Sequence, residues 1–116
     1  MSSTYLYGAN VHANGIRQHY LRFADSAETS RQPLVLIPGI TSPAITWRFV
    51  AERLGQHFDT YVLDVRGRGL SSTGPDLAYD TDTCADDVIA FIDALGLSDV
   101  ILAGHSMGAR FALRAM

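Results

Sequence analysis

Val100-Ile101-Leu102-Ala103-Gly104-His105-Ser106-Met107-Gly108 is the stretch that decides how this chain folds. It opens on an unbroken apolar run of strand length and continues as G-x-S-x-G, after which Phe111, Ala112, Leu113 and Met116 read as a helix. A strand that turns into a helix across a glycine-flanked serine is the context this motif requires. A serine hydroxyl is a poor nucleophile until a base takes its proton, so it must stand exposed on a sharp turn that base and substrate can both reach. At the start of a helix the N–H of Met107 has no intrahelical acceptor, and the helix dipole strengthens its attraction for an oxyanion. Ser106 is therefore the candidate nucleophile and Met107 N–H a candidate oxyanion donor. In the plainer alternative, the glycines allow close packing and Ser106 only caps the helix.

Working outward, Tyr61-Val62-Leu63 and Leu34-Val35-Leu36-Ile37 are further apolar runs of strand length, the second stopped by Pro38-Gly39, and both suit strands buried on two faces. Helical spacing appears between them at Ala44 to Leu54, where Ile45, Phe49, Val50 and Leu54 form the expected apolar face and Gly55 the expected cap. From Thr81 to Leu95 a second helix places Cys84, Val88, Phe91, Ile92 and Leu95 together. Asp82, Asp86 and Asp87 lie early, where they complement the dipole, and Gly96-Leu97 closes it. Parallel strands need crossovers of about a dozen residues or more, so this alternation predicts an α/β fold with a mainly parallel sheet and flanking helices. The segments Thr4 to Tyr7 and Gln18 to Ala24, with Asn14-Gly15 between them, predict an antiparallel hairpin at the entry.

The chain has 116 residues, 47% hydrophobic and 18% charged, which is enough for one modest core. A formal charge of −3 gives no broad electrostatic reason to expect nucleic acid or an anionic membrane as partner. The single Cys84 cannot form an internal disulfide, and the opening residues lack a signal-peptide pattern, so a cytoplasmic setting is expected. No apolar run approaches the roughly 20 residues of a membrane span. Arg66-Gly67-Arg68-Gly69 invites a nucleotide-loop reading, but Ser72 stands where G-x-G-x-x-G needs glycine or alanine. Asp80 and Asp82 hint at a calcium loop that Cys84 and Ala85 interrupt. No metal or cofactor site is expected.

Three segments together resemble the α/β-hydrolase family: the strand with Pro38-Gly39-Ile40, then Asp64-Val65-Arg66-Gly67-Arg68-Gly69-Leu70-Ser71, then Gly104 to Gly108. The resemblance implies that the loop after the first buried strand supplies a second oxyanion donor, the N–H of Ile40. Pro38 stands where the family usually carries a histidine that shapes this loop. Asp64 to Ser71 resembles a structural turn near the site, and Asp64 is not read as the triad acid. Longer strings (LYGANVHANGIRQHYLR at 6–22, PGITSPAITW at 38–47, FDTYVLDVRGRGLSS at 58–72, GHSMGARFA at 104–112) are similar to deformylases of this family. They imply hydrolysis of a small carboxylate-bearing N-formyl amide without metal or organic cofactor. Esters, lactones and carbon–carbon bonds remain alternative targets, and an inactive fragment or interaction module remains the alternative from another class.

In this family the order is serine, then acid, then histidine. Both partners of Ser106 are expected beyond Met116, so residues 1–116 read as the N-terminal part of a single domain ending just after the elbow. Among the internal histidines, His105 is expected to pack in the core, and His12, His19 and His57 to be ordinary surface or turn residues. Trp47 is expected to pack near the oxyanion loop. A small molecule is the expected partner, and the oligomeric state stays open.

Overall fold

The computed structural model describes residues 5–39, 43–74 and 76–116. The entry hairpin pairs β1 (Tyr5–Ala13) with β2 (Ile16–Ala24) antiparallel, from Tyr5 opposite Ala24 to Ala13 opposite Ile16. Asn14 and Gly15 take φ of 53° and 75°, the left-handed pair that a two-residue hairpin turn demands. Both strands reach the turn directly, so the hairpin is longer than its apolar residues alone predicted.

Strands β3 (Pro33–Ile37), β4 (Asp59–Leu63) and β5 (Ile101–Gly104) complete a five-stranded sheet in the order β1-β2-β4-β3-β5. β3 runs parallel to both β4 and β5, and β2 joins β4 antiparallel. The sheet is thus mixed, a parallel centre extended by the hairpin. Every residue of β4 is buried, as are Leu34 to Ile37 of β3, which accounts for their unbroken apolar runs. β5 lies at the edge of the described sheet and none of its residues is fully buried.

Alternating side chains of the central strands feed two apolar layers. Val35, Ile37, Tyr61 and Leu63 join Cys84, Val88 and Phe91 of α2 (Thr81–Ala94) and Phe111 and Ala112 of α3 (Met107–Ala115). Leu34, Leu36 and Val62 join Phe23, Ala44 and Ala51 beneath α1 (Arg48–Leu54), which a 3-10 turn at Ala44–Trp47 precedes. Helices therefore cover both faces of the sheet. No helix of the described residues is long and apolar enough to cross a membrane.

The helix termini and faces correct two expectations. The segment from Ala44 to Leu54 turns small residues inward: Ala44 of the 3-10 turn and Ala51 of α1 are buried, whereas Ile45, Val50 and the 80% exposed Phe49 face out, and Leu54 of the expected face packs on the core. Close approach to the sheet excludes larger side chains there, and Gly55 follows the same logic, since a Cβ on it would sit 2.8 Å from the backbone of Phe23. In α2, Asp80 is the cap, its carboxylate accepting from Thr83 N–H at 3.1 Å, and Asp87, expected to complement the helix dipole, is buried. At the other end Gly96 N–H reaches Asp93 O and Leu97 N–H reaches Ile92 O, the paired bonds of a glycine-terminated helix.

Candidate active site

Where β3, β4 and β5 end, their loops meet, as the parallel order requires. Ser106 links β5 to α3 with φ 56° and ψ −121°, a combination sparsely populated by residues with a Cβ. Such strain persists only where the surroundings impose it, and here the surroundings are visible. A Cβ on Gly104 would come within 2.5 Å of Gly108 O and 2.6 Å of Ala109 Cα, and one on Gly108 would run into the carbonyl of Ile37. His105 N–H donates to Ile37 O at 3.1 Å, tying the elbow to the end of β3. The turn is thus held by backbone approach that only glycine permits.

Ser106 is exposed and makes no side-chain cap bond to α3, so the plain capping role is not what its hydroxyl does. The helix is closed instead through backbone: Gly108 N–H donates to His105 O at 2.9 Å and Ala109 N–H to Ser106 O at 3.0 Å. Met107, the first residue of α3, is half-buried and has no intrahelical acceptor for its N–H. Ile40 lies outside the described residues. Its neighbour Gly39 lies against the elbow, where an added Cβ would be 3.3 Å from Ser106 Cβ and 3.4 Å from His105 O. Pro38 is fully buried beneath that loop.

Among the histidines the expectations change. His105 is exposed rather than in the core, because the elbow throws it outward, and its imidazole lies on the indole of Trp47 with centroids 5.0 Å apart. His19 is not an ordinary surface residue, since its Nδ1 pairs with Asp64 Oδ2 at 2.8 Å. Its place in β2, opposite the end of β4, gave no sign of that partner. His12 and His57 are exposed.

Asp64 holds loops, as its resemblance implied. Its carboxylate accepts from Ala44 N–H at 2.6 Å and Leu70 N–H at 3.2 Å in addition to His19. It therefore joins the segment after β3 to the one after β4. The guanidinium of Arg66 makes a bidentate pair with Asp87, at 2.6 and 2.8 Å, and donates to Ala78 O at 2.9 Å. It is committed to α2 and its approach, which argues against a phosphate role. Burial pushes the Cys84 thiol up to about 11, leaving it protonated and unreactive near neutral pH. A cleft of about 490 Å³ opens between Leu21, Pro43, Ile45 and Leu70, with His19 and Asp64 in its wall. Ser106 is not among its described walls.

Known proteins resemble this chain in sequence and in fold. An N-formylmaleamate deformylase of Pseudomonas putida KT2440 is 68% identical over 113 residues, a match covering 97% of this chain and 41% of the relative. A 2-(acetamidomethylene)succinate hydrolase of Mesorhizobium japonicum is 38% identical over 76% of this chain and 32% of its own length. The chain thus spans less than half the length of either relative. Among solved structures, an N-formylmaleamic acid deformylase of Pseudomonas putida S16 superposes with a TM-score of 0.85 at 55% identity, over 94% of this chain and 40% of that one. A bacterial membrane phospholipase A does so at 0.86 with 29% identity, over 95% and 34%. Residues 32–116 match the family model described as the alpha/beta hydrolase fold, and this chain belongs to that family.

Proposed function

We propose that this chain carries the nucleophile and oxyanion half of a serine hydrolase acting on a small formyl amide such as N-formylmaleamate. The observation that carries the reading is the exposed Ser106, held at φ 56° and ψ −121° between two glycines that tolerate no side chain. Ser106 Oγ attacks the formyl carbon while a histidine takes its proton; the carbonyl oxygen becomes an oxyanion facing the N–H groups of Met107 and Ile40. Collapse expels the amide nitrogen, which takes that proton and leaves as maleamate. Water then attacks the formyl-serine, and formate departs with Ser106 restored. The histidine and its acid partner come, in this reading, from chain beyond Met116, with residues 1–116 forming the first part of a single domain.

Two features support the substrate class. The two relatives described above are named for acyl amides that carry carboxylate, one formyl and one acetyl. Acyl transfer through serine also needs no metal or organic cofactor, since base and oxyanion donors supply the catalysis. The test is formate release from N-formylmaleamate by the complete protein that contains this chain. Wild type should turn over, and Ser106→Ala should lose about 10³-fold or more in kcat. Turnover surviving in Ser106→Ala would overturn the assignment. Preference for the acetamidomethylene substrate would keep the nucleophile and shift the acyl group.

A further inference from the structure

The elbow is bracketed on two sides by the segment that follows β3. At its start Gly39 leaves no more than van der Waals room, a Cβ there falling 3.3 Å from Ser106 Cβ, and at its end Trp47, the last residue of the 3-10 turn, lies against the His105 ring, tilted by 59°. Trp47 also packs on the apolar layer that holds Ala44, Ala51 and Leu34, so its indole is anchored to the scaffold as well as to the elbow. Its Nε1 is buried and has no hydrogen-bond partner among the described residues. Its contact with the elbow is made through the ring, whose centroid lies 5.0 Å from that of His105.

We propose that Trp47 is a positioning residue for the nucleophile. Its indole, packed against the His105 ring, braces the elbow on the scaffold, so that Ser106 and the Met107 N–H keep their places at the reacting centre. On the β3 side the elbow is also tied by the bond from His105 N–H to Ile37 O and by the close approach of Gly108 to the carbonyls of Ile37 and Pro38. Trp47 adds a side-chain contact to the His105 ring itself. A flat aromatic face is the operative property, so phenylalanine should serve and an aliphatic side chain of similar bulk should not. This inference rests on Ser106 being the nucleophile.

The test uses the complete protein with Trp47→Phe, Trp47→Leu and Trp47→Met, measuring kcat and KM for the formyl amide and the rate at which a fluorophosphonate labels Ser106. Thermal melting is recorded alongside. Leucine and methionine variants should lose about 10- to 100-fold in kcat, with labelling slowed in parallel and KM within about twofold of wild type, as expected of small misplacements at a reacting centre. Trp47→Phe should restore both rates to within about threefold, because the aromatic ring against His105 is kept. Having two aliphatic variants keeps the test open if one does not fold. Wild-type rates in a folded leucine or methionine variant would overturn the proposal, as would a phenylalanine variant as slow as either. A wild-type protein that is not labelled at Ser106 sinks the functional reading and this inference together; a labelled wild type with unaffected variants sinks this inference alone.

Discussion

The hairpin side of the sheet and the β5 side are built on different terms. On the hairpin side, polar clips join elements far apart in sequence. Arg66 and Asp87, 5% and 4% exposed, form a bidentate pair to which the turn residue Asn14 adds a bond at 2.8 Å and Gln18 a bond to Asp87 O at 3.1 Å. Arg22 and Tyr61 both bind the Asp59 carboxylate, at 2.7 and 2.9 Å. On the β5 side the strand is only half-buried, His105 and Ser106 are exposed, and the backbone is strained. A strained turn persists only where packing around it is over-determined. The difference teaches that long-range polar pairs fix the hairpin flank, whereas backbone approach around a strained residue fixes the elbow that presents the hydroxyl.

Cutting the clip should give the largest effect. Asp87→Ala in the complete protein should cost about 3–5 kcal/mol in urea unfolding, because it leaves Arg66 buried without its counter-charge. Replacing both partners together, Arg66→Met with Asp87→Leu, should recover most of that loss. A cost under about 1 kcal/mol for the single change would remove the contrast between the flanks.

Relaxing the elbow should act in the opposite direction and more weakly. Ser106→Gly removes the Cβ that makes φ 56° unfavourable, so it should be more stable than Ser106→Ala by about 1 kcal/mol, even though glycine loosens the unfolded chain. Equal stabilities would mean that the turn stores no strain.

The smallest effect is a pH dependence on the buried side. Burial raises the Cys84 thiol from 9.0 to about 11, so between these values the unfolded chain releases a proton that the folded one keeps. Fewer protons on the unfolded state means stability that is unaffected below pH 9.0 and falls as pH rises above it. Tyr61, also pushed up by burial and by its bond to Asp59, adds its own decline above pH 10.0. Cys84→Ala should therefore flatten the slope of unfolding free energy between pH 9 and 10. An unchanged slope would contradict the burial of that thiol.

Much of the parallel centre was legible because a strand covered on both faces must be apolar throughout, as Leu34 to Ile37 and Tyr61 to Leu63 are. The elbow was legible because G-x-S-x-G sits where backbone approach forbids any side chain, a constraint that leaves glycine as its mark. Pairings across long separations left no such mark. Nothing local at His19 points to Asp64, 45 residues on, or at Arg66 to Asp87, and Asp87 read as a helix-dipole acid until its partner was in view. Along Ala44 to Leu54 only Leu54 of the expected apolar face packs inward, because the closest approach selects alanine, which hydrophobic periodicity weighs least. His105 was assigned to the core for want of the turn geometry that turns it out onto Trp47.

The central claim is that Ser106 is the nucleophile, and covalent labelling tests it most directly. The complete protein treated with a serine-directed fluorophosphonate and mapped by peptide mass spectrometry should carry the adduct on Ser106, with labelling and formate release lost in step. A fully inhibited enzyme whose adduct lies on another residue, or an unlabelled enzyme that still releases formate, would contradict it.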